Sequence, residues 1–196
     1  MDRYDDRIMH LFPTSVMLFD MSNHPCKAKA LEIIDASQTD NHPLLNKGKG
    51  SFKNNGSLLS NPELTQLKND IQANIVKYSN LLGTFPLRLT NNWFNIMEPD
   101  GTVNPHRHEG SVISGAYYIR APEGSSSLHF SSPLAPLRMN QLTESSNPLN
   151  VSEYAIPCAE DLLILFPSWL EHYTDKNNND LRTVISFNTH YAKTFF

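Results

Sequence analysis

The stretch Asn104-Pro105-His106-Arg107-His108-Glu109-Gly110, followed at once by Ser111-Val112-Ile113-Ser114-Gly115-Ala116-Tyr117-Tyr118-Ile119, joins a histidine pair to a β-type run. On an extended chain, residues i and i+2 point to one face, so His106 and His108 reach toward the same point. Two converging imidazoles can share a metal ion, yet two half-exposed histidines at a strand entrance would look the same. A third donor is needed to separate these readings. It stands in Leu165-Phe166-Pro167-Ser168-Trp169-Leu170-Glu171-His172, directly after an apolar run, and Arg182 follows ten positions later in Arg182-Thr183-Val184-Ile185-Ser186-Phe187-Asn188.

Working outward, the same texture recurs. Short β-branched or aromatic runs bounded by turn residues occupy 87–97, 111–119, 127–130, 162–166 and 183–188, a spacing that predicts a β-sandwich or barrel. Helices precede it. Residues 26–36 carry Ala30, Leu31 and Ile34 at helical spacing. A stronger helix begins at Asn61 and Pro62, places Leu64, Leu67, Ile71, Ile75, Tyr78 and Leu82 at three- and four-residue steps, and stops at Gly83. Its apolar stripe must be covered by another element. Pro13 interrupts the apolar run 9–21, which demotes it to an edge strand or two short ones. The polar, aperiodic segment 38–60 reads as a surface loop.

Composition narrows the function. The chain has 196 residues and a net charge of −4, from 16 basic and 20 acidic side chains. Scattered Lys and Arg without a basic stripe argue against a nucleic-acid partner. The longest apolar stretch, Leu162 to Phe166, is far short of the roughly 20 residues that span a bilayer, so no membrane association is expected. Residues 1–7 lack the apolar core of a secretory signal, and two cysteines, Cys26 and Cys158, cannot build a disulfide framework. A cytoplasmic protein is the expectation. The chain is read as a single domain in which 1–86 supports a barrel formed by 87–192.

The ordered motifs resemble the 2-oxoglutarate/Fe(II)-dependent oxygenases, specifically a bacterial and phage group related to prolyl hydroxylases. The resemblance runs through Trp93-Phe94-Asn95-Ile96, the Pro105-His106-Arg107-His108 block, Ser114-Gly115-Ala116-Tyr117-Tyr118-Ile119, Leu128-x-Phe130-x-x-Pro133, the segment ending at His172, and Arg182 to Asn188, with a looser echo at 11–16. It implies a mainly β fold with N-terminal helices, a double-stranded β-helix (jelly roll, or cupin-like barrel). It further implies Fe(II) as cofactor, held by His106, His108 and His172, with 2-oxoglutarate and O2 as cosubstrates and a small-molecule or peptide substrate. Most of the superfamily has a carboxylate where His108 stands, so three neutral imidazoles would leave this site one charge more positive.

Arg182 would grip the distal carboxylate of the dianion, because guanidinium is always charged and forks bidentately. Strand alternation puts Val184, Ser186 and Asn188 on the face of Arg182, and Ser186 offers a hydroxyl. Tyr118 matches a family tyrosine that can share the carboxylate, and Asn95 could line the pocket. Glu109 should point away from the metal, His129 toward solvent, and Trp169 into packing. His10, His24, His42 and His190 have no ligand-like neighbours.

Two other readings stand beside this one. Cupin-type metalloenzymes share His-x-His and a distal His, but place a Glu four or five residues after the pair, where this chain has Val112 and Ile113. A non-catalytic jelly-roll binding or structural module is the third. The segments 38–60 and 138–158 should border the site, and exposed apolar stretches leave a homodimer open.

Overall fold

The computed structural model describes residues 11–53, 57–138, 147, 149–178 and 180–193. Met9 and His10, Asn54 to Gly56, and most of 139–148 therefore lie outside the described residues, as does the start of the expected 9–21 strand. In chain order the elements are β1 (Met17–Asp20), α1 (Lys27–Ala36), β2 (Asp40–Asn41), β3 (Leu45–Gly50), α2 (Thr65–Leu82), β4 (Leu87–His106), β5 (Ile113–Arg120), β6 (Leu128–Ser131), β7 (Glu153–Ile156), β8 (Leu162–Pro167), β9 (His172–Thr174) and β10 (Arg182–Tyr191).

The strands form one curled antiparallel sheet in the order β1-β8-β5-β10-β4-β9-β6-β7, with β3 added to β4 and β2 to β3. β4 is the hinge of this arrangement. Its first half pairs with β10, from Arg182 opposite Met97 to Tyr191 opposite Leu87. Its far end pairs with β9, where His106 faces His172. Between them the chain bends at Asp100, whose φ is +61°. A 20-residue strand can thus serve both walls of a jelly roll.

Alternation along the strands sorts two apolar clusters. Phe94 and Ile96 of β4, Tyr117 and Ile119 of β5, Leu163 and Leu165 of β8, and Ile185 and Phe187 of β10 face outward, where Ala30 and Ile34 of α1 and Leu67, Ile71, Ile75 and Tyr78 of α2 cover them. Ala116, Tyr118, Ile164, Phe166 and Val184 face inward and meet Leu128 and Phe130 of β6. The expected helical stripe is therefore buried against the sheet. The Asn61 side chain accepts from Glu63 N–H, a single 3-10 turn (Pro62–Leu64) precedes α2, and Gly83 closes the helix at φ +66°.

β1 is an edge strand, paired only with β8, as Pro13 foretold. The segment 38–60 is a correction: instead of a loop, it forms the β2–β3 hairpin and a short 3-10 turn (Leu58–Ser60). Its residues, Leu45-Asn46-Lys47-Gly48-Lys49-Gly50, have no strand periodicity because pairing with β4 rather than burial holds them. Close approach makes that pairing work: a Cβ on Gly50 would sit 2.4 Å from Phe94 O and 2.8 Å from Asn95 Oδ1. β7 and β9 were also not anticipated, being four and three residues long.

Gly50→Ala should therefore force the hairpin off β4 and cost about 1–3 kcal/mol, the usual penalty for overpacking. Thermal denaturation should show a lower midpoint, and hydrogen exchange should place the loosened amides in 45–50.

Candidate metal centre and cosubstrate cavity

His106 ends β4, His172 begins β9 opposite it, and His108 lies two residues beyond His106, so backbone pairing alone brings the three imidazoles together. One ring nitrogen from each lies within 4.8 Å of the others. Ring centroids are 4.2 Å apart for His106 and His172 and 5.0 Å for each other pair.

The opposite nitrogen of each ring is already committed. His106 Nδ1 lies 2.8 Å from Asn104 O, and His172 Nδ1 lies 3.0 Å from Leu170 O. A carbonyl oxygen only accepts, so both rings carry their proton on Nδ1 and keep Nε2 free. His108 Nδ1 lies 2.6 Å from Asn188 Oδ1 and 2.8 Å from Ser114 Oγ; Ser114 in turn touches Asn188 Oδ1 and Ser168 Oγ. All four of those polar groups converge where the strand alternation of β10 and β5 turns Asn188 and Ser114 inward. The Nε2 atoms of His106 and His108 are 3.1 Å apart. Three tautomers locked with Nε2 inward are the donor set a divalent transition metal needs. The group fits.

Burial lowers the basicity of all three. It pushes His172 down to about 3 and His108 down to about 4, with His106 adding positive-charge repulsion in both cases; His106 itself is lowered by burial against the pull of its bond to Asn104. The rings are therefore neutral, and able to ligate, at neutral pH.

A cavity of about 450 Å3 opens beside these rings, and its walls include all seven residues expected at the site: His106, His108, His172, Arg182, Tyr118, Ser186 and Asn95. Arg182 is 2% exposed. Its Nη1 donates to Ser126 O at 3.0 Å and to Ser126 Oγ, its guanidinium carbon lies 5.8 Å from the Tyr118 ring centre, and its Nε is buried with no hydrogen-bond partner among the described residues. Leaving such a donor unpaired costs about 1–3 kcal/mol, so an acceptor is called for. Tyr118 is 1% exposed, and burial raises its phenol well above the usual range. Ser186 lies 3.4 Å from Asn95 Nδ2, and turning the Asn95 amide over would let its oxygen accept from Trp93 Nε1 at 3.2 Å.

Other residues depart from expectation. His129 is 8% exposed rather than solvent-facing: Glu153 Oε1 lies 2.6 Å from its Nδ1, Asp175 Oδ2 lies 2.6 Å from its Nε2, and Tyr173 stacks on it. Trp169 is 52% exposed rather than packed. Glu109 lines the cavity and, as expected, is outside the metal-competent group. His42, dismissed for want of neighbours, lines the cavity and is 8% exposed. Burial, with His106 and Lys53 nearby, depresses its basicity. The Asn188 tie to His108 joins residues 80 apart, and His42 reaches the cavity only because its hairpin pairs with β4, so no local pattern could have revealed either.

A jelly roll with a convergent histidine triad and an inward buried arginine has the architecture suited to a non-haem metal site. The chain belongs to the family described as "Putative 2OG-Fe(II) oxygenase", which matches residues 91–188, half of its length. No curated protein matches it. Solved structures share the fold at low identity. HygX from Streptomyces hygroscopicus, crystallised with nickel, 2-oxoglutarate and hygromycin B, is 14% identical with a TM-score of 0.62, covering 93% of this chain and 84% of that one. The non-heme alpha ketoglutarate dependent epimerase SnoN from nogalamycin biosynthesis is 13% identical with a TM-score of 0.67, covering 91% and 77%. A Pseudomonas putida prolyl-4-hydroxylase is 10% identical with a TM-score of 0.60, covering 91% and 93%. The family membership sets aside the cupin and non-catalytic readings.

Two outcomes follow from the triad. Asn188→Leu should lower metal affinity by about 10- to 100-fold, the usual effect of losing a partner of a ligating histidine, read by competition with a metal-binding dye. Because the folded imidazoles are less basic than the unfolded value of 6.5, metal-free protein should hold its stability above that pH and lose it progressively as the pH falls toward about 3. Thermal unfolding with chelator present should show this decline, and His172→Leu should make it shallower.

Proposed function

We propose that His106, His108 and His172 hold Fe(II), that Arg182 binds the distal carboxylate of 2-oxoglutarate, and that the protein hydroxylates an unactivated C–H bond of a small molecule or peptide. The observation that carries this reading is the pairing, in one cavity, of three imidazoles locked with Nε2 inward and a buried guanidinium whose Nε lacks an acceptor. Iron, when bound, supplies chelation of the 2-oxo acid and reductive activation of O2. The overall change balances as 2-oxoglutarate, O2 and R–H giving succinate, CO2 and R–OH.

The chain's own residues do the remaining work. Ser126 and the Tyr118 ring hold Arg182 rigidly, so the dianion meets a prepaid charge rather than a mobile side chain. Tyr118, protonated at neutral pH and with its hydroxyl beside the Cys158 thiol, is read as a further donor to the same carboxylate, with Ser186 and Asn95 further along the wall. Phe166, Leu128 and Val184 line the interior and exclude water. Three neutral imidazoles would leave a bound divalent metal its full charge, which would match a dianion. Residues 87–192 carry this machinery, and we read the whole chain as one functional unit.

The net charge of −4 disfavours a polyanion as substrate, and two free cysteines suit the cytoplasm. Among the described residues, no helix is long and apolar enough to cross a membrane.

Succinate formation from 2-oxoglutarate, dependent on added Fe(II), tests the activity. Arg182→Ala should weaken 2-oxoglutarate binding about 100-fold, the equivalent of one or two charge-assisted hydrogen bonds, while metal affinity stays within twofold by calorimetry. Retained 2-oxoglutarate affinity would refute the role given to Arg182.

A further inference from the structure

Two buried nitrogens on the cavity wall have no hydrogen-bond partner among the described residues: Arg182 Nε and His42 Nε2. The first is accounted for by the cosubstrate. The second is not. Its proton can be located from geometry, because Leu44 N–H points at His42 Nδ1 at 3.2 Å and a backbone N–H can only donate. Nδ1 is thus the acceptor, and Nε2 bears the hydrogen. His42 presents a donor with nothing to receive it.

Its placement links it to the metal centre. Leu44 O accepts from Asn104 N–H at 2.9 Å, and Asn104 O accepts from His106 Nδ1 at 2.8 Å, so a continuous backbone relay ties the β2–β3 hairpin to a candidate ligand. On its other side His42 meets the Phe52 ring edge-on at 4.6 Å; Phe52 meets Trp93 at 5.2 Å, and Trp93 lies 5.8 Å from His108. Pro43, Leu44, Leu45 and Phe52 give the wall beside the donor a largely apolar surface, with Lys53 and His106 the nearby groups that act on His42 electrostatically.

We propose that His42 is a specificity-determining residue: its Nε2–H donates a hydrogen bond to a neutral carbonyl oxygen on a substrate whose remaining surface is apolar. A largely apolar wall interrupted by one unsatisfied donor selects for such a group, since a ligand without an acceptor would leave the donor unpaired and a charged one costs more to strip of water. Hairpin and donor together make the β2–β3 segment the reader of substrate identity. This rests on the oxygenase reading of the cavity, because it assigns the space beside the metal to substrate.

The test uses protein loaded with Zn(II) and 2-oxoglutarate, which binds without turnover, and two probes of nearly equal shape, N-acetylpiperidine and its thioacetyl analogue, whose sulfur is a poor acceptor. Wild type should bind the acetyl probe about tenfold more tightly than the thioacetyl one, as loss of one neutral hydrogen bond predicts, and the Nε2 proton resonance of His42 should move downfield on binding. His42→Leu should abolish the preference and His42→Gln, which keeps a donor, should retain part of it. An undiminished preference in His42→Leu, equal binding of both probes by wild type, or no binding of either would overturn the proposal. The 2-oxoglutarate affinity of wild type, measured in the same samples, separates the two levels. Loss of that affinity defeats the reading of the cavity, whereas normal affinity with no probe preference defeats only the role of His42.

Discussion

Period-two alternation in a sheet covered on both faces is the constraint on which everything else depends. In β4, β5, β8 and β10 each outward residue is an apolar contact for α1 and α2, so the register of the inward residues is fixed by the packing of their neighbours. Arg182, Val184, Ser186 and Asn188 share the inner face because Thr183, Ile185 and Phe187 are buried on the other side. A one-residue slip would bury Arg182 among helix side chains and expose Ile185 to the cavity. The helices contribute no residue to the site, yet they hold it in place.

Within that frame, the metal centre is built by committing the nitrogens that do not bind. Two backbone carbonyls and one asparagine oxygen occupy the Nδ1 positions, and this orients the rings at little entropic cost because the carbonyls belong to the strand and loop that carry the histidines. The choice of Asn188, an amide rather than a carboxylate, keeps the surroundings of the metal uncharged. The chain carries a net charge of −4 while the buried Arg182 puts positive charge on the cavity wall, to which a bound divalent metal would add, an arrangement suited to a small anion.

The part of the fold made of long elements was legible. α2 and the turn before it carry six apolar positions at helical spacing, and the five β-rich runs all became strands, because burial on a regular face leaves a periodic trace. β3 left none: its Lys and Gly residues are held by backbone pairing with β4, and pairing has no side-chain signature. β9 is too short to show alternation, although it carries His172. His129 illustrates a different failure. Its strand neighbours Leu128 and Phe130 do point inward, but Glu153 of β7, Asp175 and Tyr173 come from elsewhere to cover the opposite face.

By itself, the order of residues gave the β-rich runs, the long helix and the strand faces, since each depends on spacing within one segment, while the set of His106, His108, His172 and Arg182 was expected from the ordered motifs of the family resemblance. Only the tertiary structure decided which groups close the site: Asn188 behind His108, Ser126 behind Arg182, and His42 on a hairpin laid across β4. Each of those contacts joins residues 45 or more positions apart. Their geometry arises from the curl of the sheet and the register between strands, which spacing within a single segment does not encode.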